Sequence, residues 1–263
     1  MSISTLEDYA AALKQRVQFT KVTVSAGGGF VNSTSKGSTG LPPVFSAVAN
    51  ATTGVVPVAG DTGFPSLQPW SGDGHITSVE YTNMLAAVRG FVYDRLFHAG
   101  PIPMGATTTL GSQPSYSGRV PGGTDYKGLQ IWLEGHSVSG TPTITVTYTD
   151  QDGNPGHSTP SVAFGANQLQ NYVLYNMPLA SGDTGVQVIE SVIVSGGTSG
   201  TFNVVVMRRL FNMYPQLAAT PRVQPLEELG MPIVYTTSAI AVATYSSTGN
   251  TGTLDISIEV ASN

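Results

Sequence analysis

Between Thr143 and Thr149 the chain alternates without a break. Ile144, Val146 and Tyr148 take one parity, and Thr143, Thr145, Thr147 and Thr149 the other. A side-chain period of two belongs to a strand that buries one face and wets the other. Leu129, Ile131 and Leu133 repeat the pattern just upstream. His136 to Pro142, rich in Gly, Ser and Pro, predicts a hairpin loop joining the two strands, and Asp150-Gln-Asp-Gly predicts a turn after the second. The stretch from Gln113 to Gly153 therefore predicts a sandwich-type antiparallel sheet, with the rest of the chain added to it.

Further candidate strands follow at 158–164, 169–176, 186–195, 201–210, 233–245 and 252–260. In the last, Leu254, Ile256, Ile258 and Val260 face one way and Asp255, Ser257 and Glu259 the other. Both faces of 201–210 are apolar, which predicts a central strand. Glu190 interrupts an apolar parity and predicts a bulge. Pro225 to Leu229 predicts a short helix stopped by Gly230 and Pro232. Met84, Leu85, Val88, Phe91 and Val92 fit a helix face, but Gly90 and the β-branched and aromatic content favour two strands, at about 76–82 and 88–97. Ala59-Gly-Asp-Thr-Gly and Ser181-Gly-Asp-Thr-Gly share four residues with unlike flanks and read as recurrent turns.

The N-terminal end reads differently. Ser4 with Glu7 predicts a capping box, and Leu6, Tyr9, Ala10, Leu13 and Val17 recur at helical spacing, so a helix is expected over Ser4 to Val17. It needs a surface to dock on, either its own sheet or a neighbouring subunit. Phe19 to Val24 alternates as a strand. From Gly27 to about Pro69 there is little periodicity, and this length of irregular chain reads as an extended arm that gains order from partners. The expected fold is all-β: an antiparallel β-sandwich or jelly-roll-like body with an N-terminal amphipathic helix and long extended loops. Its expected divisions are a helix and arm over 1–24, a loop-rich segment with a few strands over 25–112, and a core sandwich over 113–263.

Composition narrows the partners. Only 10% of residues are charged, against roughly 25% in ordinary soluble domains. Such a chain either covers itself with Ser, Thr, Asn and Gly or hides surface against neighbours in an assembly. The formal net charge is −5 and the basic residues are scattered, so no nucleic-acid partner is expected. With no cysteine the chain suits a reducing cytoplasm. The N-terminus carries no basic and apolar leader pattern, and no apolar run approaches a membrane span, so neither secretion nor membrane insertion is expected.

Chemical motifs are missing. There is no G-x-S-x-G elbow and no Walker loop, and Gly27-Gly-Gly lacks the third glycine of a dinucleotide fingerprint. Asp150, Asp152 and Asn154 begin like a calcium loop, but Gly153 falls too early, Pro155 intrudes and no Glu closes it. His75, His98, His136 and His157 show no metal spacing. Adjacent Glu227 and Glu228 do not face each other as catalytic carboxylates would. A non-enzyme with no cofactor and no metal is expected. Trp132 shares parity with Gln130 and Glu134 and is expected on the less buried face; with Trp70 it forms a candidate glycan platform, unless a loop or the N-terminal helix covers it.

Four stretches carry a resemblance: Gln113-Pro-Ser-Tyr-Ser-Gly-Arg-Val-Pro-Gly-Gly-Thr-Asp-Tyr-Lys-Gly, Tyr148-Thr-Asp-Gln-Asp-Gly, Leu179-Ala-Ser-Gly-Asp-Thr-Gly-Val-Gln, and Gly230-Met-Pro-Ile-Val-Tyr-Thr-Thr-Ser-Ala. With the opening Ile3-Ser-Thr-Leu-Glu-Asp-Tyr, the chain resembles a family of tailed-bacteriophage virion proteins. The resemblance implies an auxiliary head protein that decorates or cements the capsid across subunits. It implies the major capsid protein and copies of itself, as a homotrimer, for partners, and a virion location after assembly in the host cytoplasm. Leu6, Tyr9, Leu13, Val17, Phe30, Phe45, Phe64 and Trp70 are the candidate interface, and deletion of residues 1–20 is expected to abolish attachment while leaving a folded body. The alternative is a receptor- or glycan-binding module of the tail or head surface, using Trp132 and Trp70.

Overall fold

The computed structural model describes residues 5–22, 30–34, 39–45, 50–83, 89–166, 168–170, 172–197, 199–214, 220–245 and 252–262. Along the chain these form helix α1 (Leu6–Ala11), then β1 (Leu13–Val22), β2 (Val31–Ser33), β3 (Thr39–Leu41), β4 (Asn50–Val55), β5 (Gly74–Asn83), β6 (Arg89–Pro103) and β7 (Thr107–Thr109). There follow β8 (Leu129–Ser139), β9 (Thr143–Asp150), β10 (His157–Ser158), β11 (Val162–Ala163), β12 (Val173–Met177), β13 (Val186–Ser195) and β14 (Ser199–Met213). The last elements are β15 (Arg222–Pro225), helix α2 (Leu226–Leu229), β16 (Ile233–Val234), β17 (Ile240–Tyr245) and β18 (Leu254–Ser262). The protein is all-β with antiparallel sheets, as expected.

The chain divides into two compact units, and neither is continuous in sequence. The first comprises Met1–Ser46, Val58–Asp94 and Leu210–Asn263, the second Ala47–Pro57 and Arg95–Arg209. The stretch 113–263, expected as one body, is thus shared at the Arg209–Leu210 junction. Each unit has its own apolar core built from residues of two sheets, so there are two sandwiches where the alternation predicted one.

In the first unit the main sheet runs β15-β5-β18-β1-β3, with β16 also on β5. β1 and β18 pair from Leu13↔Ser262 to Lys21↔Leu254. Val17, Phe19, Ile256, Ile258, Val79 and Ile76 face inward against Val92 of β6 and Ile240 and Val242 of β17. The parity read for β18 holds: Leu254, Ile256, Ile258 and Val260 are buried. The expected helix does not reach Val17. It stops at Ala11, and its cap is Thr5, whose Oγ1 accepts the Asp8 N–H at 3.1 Å while Asp8 Oδ2 accepts the Thr5 N–H at 3.0 Å. Leu13 and Val17 belong to β1. A spacing of four residues keeps one face on a helix and also one parity on a strand, so the sequence pattern was ambiguous there. The ladder with β18 pairs one edge of β1 from Leu13 to Lys21, where a short isolated helix would gain little.

Lys21 is an inward-facing exception on β1. It is 1% exposed, and its Nζ donates to the Pro42 carbonyl. Burial lowers its pKa from 10.5 to about 8. The folded state therefore binds fewer protons than the unfolded chain between about pH 8 and 10.5. By linkage this group makes stability rise with pH across that window and contributes no slope below it. Lys21→Met is expected to remove that slope and to stabilise the protein at pH 7. Denaturant midpoints of wild type and variant between pH 7 and 10 measure it; parallel pH profiles would contradict it.

In the second unit one sheet runs β10-β9-β13-β7, with β11 also on β9. The other places β8 between β14 and β12, and β4 lies beside the 95–103 part of β6. β8 and β9 therefore belong to different sheets and do not form the expected hairpin. Leu129, Ile131 and Leu133 of β8 meet Ile144, Val146 and Tyr148 of β9 across the core. The alternation named the buried face of each strand correctly but not its hydrogen-bonding partner. Glu190 does mark a bulge: the β13–β9 register shifts between Ile189 and Ser191, and again between Val186 and Val188. The predicted strand 158–164 is two short bridges, β10 and β11, and 233–245 is β16 and β17 separated by a turn. The strands expected at 76–82 and 88–97 are present as β5 and β6, and the helix expected before Gly230 as α2; Met84, Leu85 and Val88 lie outside the described residues. Gly135 of β8 is where segment 169–170 crosses: a Cβ there would collide with the carbonyl oxygens of Leu169 and Gln170.

Candidate functional site: an edge strand and two polar clusters

The stretch expected to be an irregular arm contains β2, β3 and β4. β3 is the terminal strand of its sheet, pairing with β1 through Thr20↔Leu41 to Val22↔Thr39. Its other edge has no strand partner among the described residues. Leu41 is 67% exposed there, with Val44 exposed just beyond. Leu13, at the start of β1, is 71% exposed. An edge with unpaired backbone groups and bare apolar side chains is a template for another chain.

The predicted interface residues divide. Leu13 is open to solvent, and Phe30 and Trp70 are half-buried. Val17, Phe45 and Phe64 are buried within the chain's own first unit, where Phe45 and Phe64 meet edge to face at 5.2 Å. Helix α1 docks on its own sheet: the Tyr9 hydroxyl donates to Glu259 Oε1 at 2.8 Å, and Thr77 Oγ1 donates to the same oxygen at 2.9 Å. The bond to Glu259, helped by partial burial, raises the Tyr9 pKa. Leu6 lies in the helix.

Trp132 is 5% exposed, so the less buried face expected for it is buried too, and its Nε1 donates to Gln130 Oε1 at 3.0 Å. Trp70 packs against the first-unit core. Trp132 offers no open ring for stacking on a sugar. A shallow groove of about 270 Å³ does open on the outer face of β1, β5 and β18, lined by Gln18, Thr20, Glu80, Thr82, Asp255 and Ser257, but no aromatic ring is turned toward solvent in it.

Sequence reasoning missed two polar clusters in the second unit. In the first, Arg95 Nη1 and Nη2 donate to Glu134 Oε1 and Oε2 at 3.0 and 2.8 Å, a bidentate pair with both side chains fully buried. Arg95 Nη2 lies 3.0 Å from His98 Nδ1, Asn203 Nδ2 donates to Glu134 Oε2 at 3.0 Å, and Arg119 Nη2 donates to the Arg95 and Leu96 carbonyls. The available signal was a charged residue inside a strand apolar on both sides, Glu134 after Trp132-Leu133 and Arg95 before Leu96-Phe97.

The second cluster joins two turns. Asp150 Oδ1 accepts the N–H groups of Asp152 and Asn154 at 2.9 and 2.8 Å, and Oδ2 accepts Asn154 Nδ2 at 2.9 Å. These bonds, the Asn154 side chain first, hold the Asp150 carboxyl below its ordinary pKa. This is the predicted turn. Bulge residue Glu190 accepts from Thr149 Oγ1 and the Gly156 N–H and so ties down the segment that follows. His157, opposite Tyr148 in the ladder, then places Nδ1 2.8 Å from Asp183 Oδ2 and Nε2 3.6 Å from Asp150 Oδ2. Asp183 belongs to the Ser181-Gly-Asp-Thr-Gly turn; in the matching Ala59-Gly-Asp-Thr-Gly turn the Asp61 carboxylate accepts the Val58 N–H. The two turns share a sequence but not a role. Tyr148 donates to Asp183 Oδ2 at 2.6 Å, and burial followed by that bond raises its pKa.

Comparison with known proteins adds little. No protein-family model matches the chain, and no curated protein matches it. Similar solved structures include that of the infectious bursal disease virus Gx strain, at 12% identity and TM-score 0.19 over 95% of this chain and 80% of that one. A crystal structure of the T13 IBDV viral particle is similar at 11% identity and TM-score 0.21 over 95% and 78%. Likeness at these TM-scores carries no argument about function.

Proposed function

We propose that the chain is a non-enzymatic virion structural protein that decorates or cements a capsid shell, binding capsid subunits and further copies of itself. The observation that carries this reading is the edge of β3, which has no strand partner among the described residues and leaves Leu41 two-thirds exposed. Strand addition at that edge would satisfy backbone groups and bury apolar surface without any change inside the sheet. The resemblance to tailed-phage virion proteins and the scarcity of charge support the same reading, and a cyclic homotrimer is the expected assembly.

The test needs correction from the structure. Deleting residues 1–20 removes most of β1, an interior strand, and would not leave a folded body. Leu41→Asp removes the apolar contact and adds a charge at an exposed position. Burying one leucine stabilises an interface by roughly 1.5–3 kcal/mol, so the variant is expected to lose about tenfold or more in particle occupancy with unchanged thermal stability. Occupancy is read by electron microscopy of intact particles. Undiminished occupancy would remove the edge from the binding surface, and absence of the wild-type chain from particles would end the virion reading.

A further inference from the structure

The Asp150–His157–Asp183 cluster contains an unbalanced contact. The Tyr148 oxygen accepts the Ala180 N–H at 2.8 Å, so its own proton points to Asp183 Oδ2 at 2.6 Å. Asp183 Oδ2 thus accepts from Tyr148 and also lies 2.8 Å from His157 Nδ1. Asp183 therefore engages the Nδ1 side of the imidazole and sets the orientation of the ring. Nε2 faces Asp150 Oδ2 at 3.6 Å, and the Asp150 carboxyl is fixed in place by the N–H groups of its turn. That separation suits two ligand atoms on one small cation.

We infer that His157 Nε2 and Asp150 Oδ2 form a binding site for a divalent transition-metal ion of the zinc type, with Asp183 orienting the imidazole. Zinc bonds of about 2.1 Å at a tetrahedral angle place two ligand atoms roughly 3.4 Å apart, close to the spacing found here. A ligating histidine whose other N–H is held by a carboxylate is the usual arrangement around such ions. One ligand atom from each of the three residues can be chosen so that all lie within 4.8 Å of one another, and water would complete the shell. Access fits as well, because the His157 side chain is 33% exposed while those of Asp150 and Asp183 are 4% and 7% exposed. A proton on Nε2 is the rival occupant, and the experiment separates the two.

Full-length protein, stripped with chelator and desalted, is titrated with zinc chloride at neutral pH while thermal midpoint and histidine ring nitrogen shifts are followed. Zinc is expected to raise the midpoint and to move the His157 Nε2 resonance. His157→Ala and Asp150→Asn should abolish the response, and Asp183→Asn should weaken zinc affinity by about 10–100-fold. His136→Ala, at an exposed ring outside the cluster, should leave it intact, and magnesium, which prefers all-oxygen shells, should not reproduce it. A wild-type midpoint indifferent to millimolar zinc, or a response that survives His157→Ala, overturns the site. If His157→Ala does not fold, the wild-type resonance decides: an Nε2 shift unmoved by zinc leaves a proton as the occupant and overturns the site equally.

Discussion

Glu134→Ala is expected to destabilise the second unit by about 3–5 kcal/mol, the range found when one partner of a buried ion pair is removed. The reason lies in what remains. Arg95 has both Nη atoms on the Glu134 carboxylate, and neither side chain touches solvent. Without Glu134 the guanidinium stays buried beside His98, and Asn203 Nδ2 loses its acceptor as well. The paired replacement Arg95→Met with Glu134→Leu removes both charges and keeps most of the volume, so it is expected to cost less than Glu134→Ala alone. The two tryptophans make the measurement clean. Trp132 lies in the second unit and Trp70 in the first, so a Trp70→Phe background leaves one reporter two residues from Glu134. Urea titration followed by Trp132 fluorescence gives the loss. A cost under about 1 kcal/mol would mean that the pair behaves as a solvated surface bridge.

Phe19→Ala should cost the first unit about 3–5 kcal/mol. Phe19 is 2% exposed, lies in the interior strand β1 opposite Ile256, and belongs to the core shared with Val79, Ile258 and Ile240. Its removal leaves a cavity that a strand laddered to β18 from Leu13 to Lys21 cannot readily close. Trp70, packed on the same core, reports the change in a Trp132→Phe background. A loss under about 1.5 kcal/mol would show that this sheet relaxes onto the cavity. The same variant tests the boundary of α1, because Phe19 is that costly only if β1 is laddered on β18 along its length.

The sequence by itself determined many of the strands and, for β9 and β18, which face is buried. Ile144, Val146 and Tyr148 are all buried, as are Leu254, Ile256, Ile258 and Val260. It also marked the Glu190 bulge, the Asp150 turn and the stop at Gly230. These are local properties: burying one face imposes a period of two, and a turn imposes its own residue types. Partners are not local. Nothing in Leu129–Leu133 or Thr143–Thr149 says that the two strands lie in opposite sheets, since both need only an apolar core to face. Leu13 and Val17 satisfy helix and strand alike, and the ladder to Leu254–Ser262 at the far end of the chain decided between them. The polar clusters follow the same rule. Arg95 meets Glu134 across 39 positions and His157 meets Asp183 across 26. Only tertiary packing, by desolvating those charges together, turns separated residues into a buried pair or a candidate metal site.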